Sequence, residues 1–180
     1  MIDELSVRRR RLLIAQWVVF VVAYGQIASA GTTPALASIG DLLFLGVGTL
    51  LMVRQPTNPI GSVMTVIATG WMVAVSAAVG AERLVDSGST VAAGWLALIA
   101  MLSTAPLLLL NNITLWLLVP DGRPATPGAH RLLRWSAWYV VVPLTVGVFA
   151  TPQVLGPGAP TVPHPFLAQS TAATMATLWL

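Results

Sequence analysis

The sequence predicts an all-α fold, a polytopic bundle of transmembrane helices. Hydrophobic residues occupy 56% of the 180 positions and charged residues only 8%, against about 25% in a soluble domain. Apolar runs of about 20 residues, the length of helix that crosses a bilayer, recur along the chain. So few polar side chains cannot cover the surface of a soluble protein of this size. The composition therefore excludes a soluble enzyme, a disordered tail and a nucleic-acid-binding module.

Five apolar segments are long enough to be full spans, and a sixth is partial. We predict the spans at about residues 12–30, 35–53, 60–81, 91–119, 135–151 and 166–180. The sixth would form roughly 21 Å of helix, which is short of a full crossing, so we expect the sequence to stop within a membrane segment. Residues 1–11 form a basic N-terminal segment, and residues 12–180 form one transmembrane domain.

The nine basic residues are all arginines, and their positions predict the orientation. Four precede the first span at positions 8–11, one follows the second span and three follow the fourth. Because positive charge resists translocation, we expect a multi-pass protein of the cell membrane with its N-terminus in the cytoplasm and only Arg83 outside. A second interpretation stays open, since Ala28-Ser29-Ala30 resembles a signal-peptide cleavage site. Cleavage there would leave the remaining topology unchanged.

The turn between the second and third spans contains a proline-rich motif, R-Q-P-T-N-P-I-G, from Arg54 to Gly61. Pro56 ends the second helix, because proline disfavours a helical conformation in the residue before it. Asn58 can accept a hydrogen bond from a free N–H at the start of the next helix, and Pro59 suits the first helical position because it has no N–H to lose. We expect Arg54 to reach the lipid headgroups.

The connection after the fourth span begins with a second motif, V-P-D-G-R-P. Pro120 ends the fourth helix, Asp121-Gly122 is a turn pair, and Arg123 faces the cytoplasmic headgroups. Basic and aromatic side chains then recur at helical spacing and predict an interfacial belt at the start of the fifth span. These side chains are Arg131, Arg134, Trp135 and Trp138.

Together the two motifs resemble the N-terminal membrane region of actinobacterial sensor histidine kinases. In that family they commonly read R-R-P-x-N-P-I-G-W and F-P-D-G-R-L-P-S. Here Ser62 replaces the tryptophan, Val119 replaces the phenylalanine, and Pro124-Ala125-Thr126 departs from L-P-S. The resemblance covers about residues 40–135. It implies a signal-input region of a two-component system that works as a homodimer and acts on a cytoplasmic signalling partner or an output domain.

The catalytic parts of such a kinase are absent from the sequence. His130 has no acidic residue after it, as a phosphoacceptor motif would, and no glycine-rich ATP lid or Asn box occurs. We therefore expect no enzymatic activity, no cofactor and no metal site in the chain as given. Three interpretations stay open: a fragment of a kinase, a truncated reading frame, and a stand-alone relative that lost its output.

Three polar residues within the predicted spans are candidate intramembrane sites. Asp41 lies 13 positions before Arg54, about 20 Å along a helix. An acid in the bilayer predicts proton or cation binding, whereas a late helix start would leave Asp41 in water. Asn111 and Asn112 are candidates for binding a ligand or ion, or for hydrogen bonding to a neighbouring helix. The alternative function is therefore a small transporter or transporter subunit, although the sequence has no convincing internal repeat.

Three further features lead to expectations about packing and ligand contact. Pro106 predicts a kink in the fourth helix. A stripe of small residues in the third span predicts that another helix approaches closely; it consists of Gly70, Ala74, Ala77 and Ala81. The proline-rich outer segment 151–165, which contains His164, is the candidate for contact with an external ligand.

Overall fold

The computed structural model describes residues 2–31, 38–119, 121–136, 138, 142 and 146. These residues form helices and connecting turns, and there is no strand among them, so the all-α prediction is confirmed for this part of the chain. The elements are α1 (Ile2–Ala28), α2 (Ile39–Arg54), α3 (Ile60–Asp86), α4 (Thr90–Leu109), a π-helical turn (Leu110–Thr114), α5 (Leu115–Leu118) and α6 (Pro127–Ser136).

Among the described residues, three helical segments are long and apolar enough to cross a membrane. They are Arg9–Ala28, Ile60–Asp86 and Thr90–Leu118, and they match the first, third and fourth predicted spans. Helix α2 begins at Ile39, four residues later than predicted, and its 16 residues give about 24 Å of helix. The structure therefore supports three of the six predicted spans. Nearly all of span 135–151, the proline-rich segment with His164, and span 166–180 lie outside the described residues.

The basic N-terminal segment is part of the first helix. Residues 2–11 form the first turns of α1, which continues without interruption into the apolar segment. The predicted boundary at residue 12 is therefore a change of composition and not a change of structure. The arginines at positions 8–11 are consequently part of one continuous helix.

Helix α3 lies at the centre of the described bundle, where it packs against α1, α2 and α4. The stripe of small residues predicted a close neighbour, and Ala81 packs in a buried cluster of α3 and α4 side chains. That cluster contains Ala81, Ala93, Ala97 and Leu98. A second cluster joins α1, α2 and α3 and contains Phe20, Ala23, Ile27, Leu45, Ala68 and Met72. Small side chains at both contacts allow the helices to approach closely.

Two glycines form the crossing between α2 and α3. A Cβ atom added to Gly61 would lie 2.8 Å from the carbonyl oxygen of Gly48 and 2.8 Å from the backbone nitrogen of Met52. A Cβ added to Gly48 would in turn lie 2.9 Å from the carbonyl oxygen of Gly61. The two backbones touch at this point, so only glycine fits at either position. Gly61, the last residue of the first motif, is therefore a helix-packing residue.

A change in helical winding follows Pro106 along the same helical run, and the kink expected at Pro106 itself stays a prediction. Proline removes one N–H from the hydrogen-bond ladder, and the winding changes from α to π at Leu110. In the π turn, the Leu115 N–H donates to the Leu110 carbonyl, five residues back. Such turns inside α-helices are uncommon and occur frequently at functional sites. The turn contains both candidate asparagines, Asn111 and Asn112.

Candidate functional site

Asn58 organises the turn between α2 and α3. Its Oδ1 atom accepts a hydrogen bond from the Ile60 N–H at 3.0 Å, and its Nδ2 donates to Gln55 Oε1 at 3.2 Å. Its backbone N–H also donates to the Gln55 carbonyl at 3.0 Å. Pro59 already has helical dihedral angles, φ −72° and ψ −15°, so Asn58 is the residue that caps α3. The capping role predicted for Asn58 is confirmed.

The second turn depends on the backbone of Gly122. Val119 is extended at the end of α5, with ψ 139°, as expected for a residue that precedes a proline. Gly122 is buried and has φ +73°, a conformation that favours glycine. Its N–H donates to the Leu118 carbonyl at 2.6 Å, which satisfies one of the free carbonyls at the helix end. The predicted turn at Asp121-Gly122 is confirmed, whereas Pro120 lies outside the described residues.

The two turns are in direct contact. A Cβ atom added to Gly122 would lie 2.5 Å from Asn58 Oδ1 and 2.7 Å from the Cδ atom of Pro59. The Gly122 backbone therefore packs on the Asn-Pro pair that starts α3. These residues are separated in sequence by α3, α4 and α5, and no spacing in the sequence predicts that they meet. The contact between the two turns, formed by Asn58, Pro59 and Gly122, is the candidate functional site.

Helix α1 reaches the same site through Arg9, whose Nη1 donates a hydrogen bond to the Pro56 carbonyl. In the sequence, Arg9 is one of four consecutive arginines at positions 8–11, and nothing there distinguishes it from the others. No signal in the sequence marks this contact, because a long side chain can reach many backbone carbonyls. The motif residues Arg54, Asp121 and Arg123 are exposed around the two turns. Basic residues from three parts of the chain thus lie in or next to the two turns.

A separate polar network joins α1 and α3 at the other end of the bundle. Arg83 Nη2 donates to the Gln26 carbonyl at 3.3 Å and to Ser29 Oγ at 2.9 Å. Ser76 Oγ also hydrogen-bonds to Gln26 Oε1. The sequence interpretation placed Arg83 in an outer loop and did not predict these contacts. The network anchors the end of α1 and is remote from the two turns.

The three candidate intramembrane residues lie at different levels of the bundle. Asp41 is half-buried in the first turn of α2, about 20 Å from the end of that helix at Arg54. Asn111 and Asn112 lie in the π turn, about 11 Å from Val119. Asn112 is exposed, and its Nδ2 donates to the Leu108 carbonyl of its own helical run at 3.1 Å. The Asn112 amide therefore donates its hydrogen bond within its own helical run and not to a neighbouring helix.

The late start of α2 bears on the two interpretations of Asp41. The helix begins at Ile39, only two residues before Asp41. A late helix start is what the interpretation of Asp41 as exposed to water requires, and residues 32–37 before that start lie outside the described residues. A cross-helix polar contact of α2 instead comes from Thr49, whose Oγ1 accepts a hydrogen bond from Trp17 Nε1 at 3.1 Å.

No family model matches the chain, and no curated protein or solved structure matches it. The class of protein therefore follows from the helices themselves. The described residues form an all-helical protein with three helices that could cross a membrane, which is consistent with a membrane protein.

Proposed function

We propose that the chain is a signal-input region of the cell membrane and that the contact between the two turns transmits its conformational state. One observation carries the proposal: residues of both motifs that resemble the sensor kinases meet at one end of the bundle. Through this contact, the start of α3 packs on the turn that follows the helical run Thr90–Leu118. A shift of either helix against the other must therefore alter the contact.

The proposed mechanism is a shift in population between two arrangements of the helices. A stimulus acts by binding or stabilising one arrangement more strongly than the other. The π turn at Leu110–Thr114 is the element best suited to change its winding, because a π turn differs from an α-helical turn by one residue. It lies in the helical run that leads to Gly122, and α6 packs against it. A change of winding there would move both α6 and the second turn.

The proposed orientation places the two turns in the cytoplasm. The chain contains no cysteine, so single cysteines report on position without further changes. Thr57→Cys and Ser87→Cys introduce thiols at exposed turn positions near opposite ends of α3. On intact cells, a membrane-impermeant maleimide should label Ser87→Cys and leave Thr57→Cys unlabelled until the cells are lysed. Labelling of Thr57→Cys alone would reverse the orientation.

Loss of the Asn58 side chain should change signalling without preventing membrane insertion. Asn58→Ala removes the cap on Ile60 and the bond to Gln55 Oε1, at a cost of about 1 kcal/mol of stability. The measurement is the transcript profile of a deletion strain complemented with each variant, at equal membrane amounts by immunoblot. Ser87→Ala is the matched control, since it also removes a side-chain hydrogen bond next to an end of α3 but lies at the opposite end of that helix. A wild-type profile for Asn58→Ala would contradict the proposed role.

The output is proposed to come from a kinase domain on the same polypeptide or from a separate cytoplasmic partner, with the membrane region acting as a dimer. The mass of the native product, detected with an antibody against residues 151–165, distinguishes these arrangements. A band tens of kDa above the 18.9 kDa of this chain supports a joined output domain, whereas a band at that mass supports a separate partner. Ion flux in liposomes that disappears in Asp41→Asn would instead support the transporter alternative.

A further inference from the structure

Helix α6 has three distinct sides. Arg131 and Arg134 are exposed, lie three residues apart and therefore share one side of the helix. Leu132 and Trp135, each 54% exposed, form an apolar side next to it. The remaining side is partly or fully buried and consists of Ala129, Leu133 and Ser136. The helix thus presents a cationic strip beside an apolar strip on its accessible surface.

The N-terminus of α6 is capped, so the two strips have a defined direction. Thr126 Oγ1 accepts a hydrogen bond from the Ala129 N–H at 3.1 Å, and the Thr126 carbonyl accepts one from the His130 N–H at 3.1 Å. Pro127 occupies the first helical position, where a missing N–H costs nothing. With one side packed and its start capped, α6 cannot rotate freely about its axis. The arginines and the exposed apolar side chains therefore keep their relative positions.

Helix α6 lies near one end of the membrane-crossing helical run Thr90–Leu118. The helix packs against the π turn Leu110–Thr114. That turn ends four residues, or about 6 Å, inside the end of the helical run at Leu118. Helix α6 therefore extends past the end of this run into the bundle. An exposed leucine and tryptophan at this level, next to arginines, match the boundary between acyl chains and headgroups.

The charge around α6 selects the kind of lipid. Residues 121–136 contain three arginines and one acidic residue, Asp121, so the segment carries a net positive charge. Arg9, which binds the Pro56 carbonyl, brings the basic start of α1 to the same end of the bundle. Guanidinium groups bind phosphate through paired hydrogen bonds, and positive side chains near a membrane surface attract anionic lipids. A zwitterionic surface would leave this concentration of positive charge without compensation.

We propose that α6 is a binding surface for anionic phospholipids of the adjacent leaflet. Arg131 and Arg134 hold the phosphate groups, while Leu132 and Trp135 lie among the upper parts of the acyl chains. The proposal concerns lipid binding alone and does not depend on the proposed signalling function. It also does not depend on which end of the bundle faces the cytoplasm.

The test places an environment-sensitive fluorophore on the full chain. Leu132→Cys, labelled with a nitrobenzoxadiazole group, is reconstituted in nanodiscs of phosphatidylcholine alone or with phosphatidylglycerol. We expect a blue-shifted and brighter emission when phosphatidylglycerol is present, and loss of this response near 1 M salt, where charges are screened beyond about 3 Å. The same label on His130→Cys, an exposed position on another side of α6, should keep an aqueous emission. A Leu132 label that reports water in both lipids would assign the surface to an aqueous partner and overturn the proposal.

Two double variants distinguish lipid binding by the arginines of α6 from attraction by the total positive charge at this end of the bundle. Arg131→Gln/Arg134→Gln should abolish most of the phosphatidylglycerol response, because each arginine at a membrane surface favours anionic lipid by about fivefold. Arg10→Gln/Arg11→Gln removes the same charge from exposed positions of α1 and should leave the response largely intact. Equal losses in the two double variants would show that the potential of the whole end attracts the lipid, and would overturn a site on α6.

Discussion

Replacing Gly122 with alanine is expected to lower the free energy of unfolding by roughly 2–5 kcal/mol. Two costs add at this position. The first is the left-handed backbone, φ +73°, which costs a residue with a Cβ about 1–2 kcal/mol. The second is the overlap of the new Cβ with Asn58 Oδ1 and Pro59 Cδ, at 2.5 and 2.7 Å, since overpacking costs about 1–3 kcal/mol. The measurement is unfolding in mixed micelles, followed by tryptophan fluorescence.

Gly88 provides the matched control for the contact. It has φ +82°, similar to Gly122, but a Cβ added there would meet nothing within 4 Å. Gly88→Ala should therefore lower the free energy of unfolding only by the cost of the left-handed backbone, about 1–2 kcal/mol. The difference between the two variants measures the contact between the turns. Equal losses would mean that Gly122 does not pack on Asn58 and Pro59, and the proposed route of signal transmission would lose its structural basis.

Replacing Gly61 or Gly48 with alanine is expected to separate α2 from α3 and to destabilise the protein by up to about 2 kcal/mol, because overpacking costs about 1–3 kcal/mol and the better helix propensity of alanine offsets about 1 kcal/mol. In both cases the added Cβ meets backbone atoms of the other helix at 2.8–2.9 Å. Backbone atoms cannot rotate away as a flexible side chain would, so the helices themselves must move apart. Their separation also weakens the contact between the Thr65 hydroxyl and Met52 Sδ, which lie 3.7 Å apart.

Gly46, also in α2, is the control for this second prediction. A Cβ added to Gly46 would meet nothing within 4 Å. Alanine is a better helix former than glycine by about 1 kcal/mol, so Gly46→Ala should be neutral or slightly stabilising. Unfolding in mixed micelles again gives the comparison. A loss at Gly46 as large as that at Gly48 would indicate that any side chain on α2 is disruptive, and the close crossing would not explain the effect.

The local features of the two turns were predictable from the sequence. Asn58 caps α3 as expected, because an asparagine before a proline at a helix start is a local pattern with a local cause. The turn at Asp121-Gly122 was predictable for the same reason. The start of α2 at Ile39 lies after the predicted start at about residue 35, and residues 32–37 lie outside the described residues, so the full extent of the second span stays a prediction.

The amino-acid sequence by itself determined that the described part of the chain is helical and apolar, and it predicted the first, third and fourth membrane-crossing segments and the two turns. These properties depend on composition and on neighbours within a few residues. The tertiary structure alone decided that Gly122 meets Asn58 and Pro59, that Gly48 meets Gly61, and that Arg9 reaches Pro56. Each of these contacts joins residues from different helices, and its existence depends on how those helices cross. The sequence around a glycine that allows close approach does not indicate which residue of another helix it will contact.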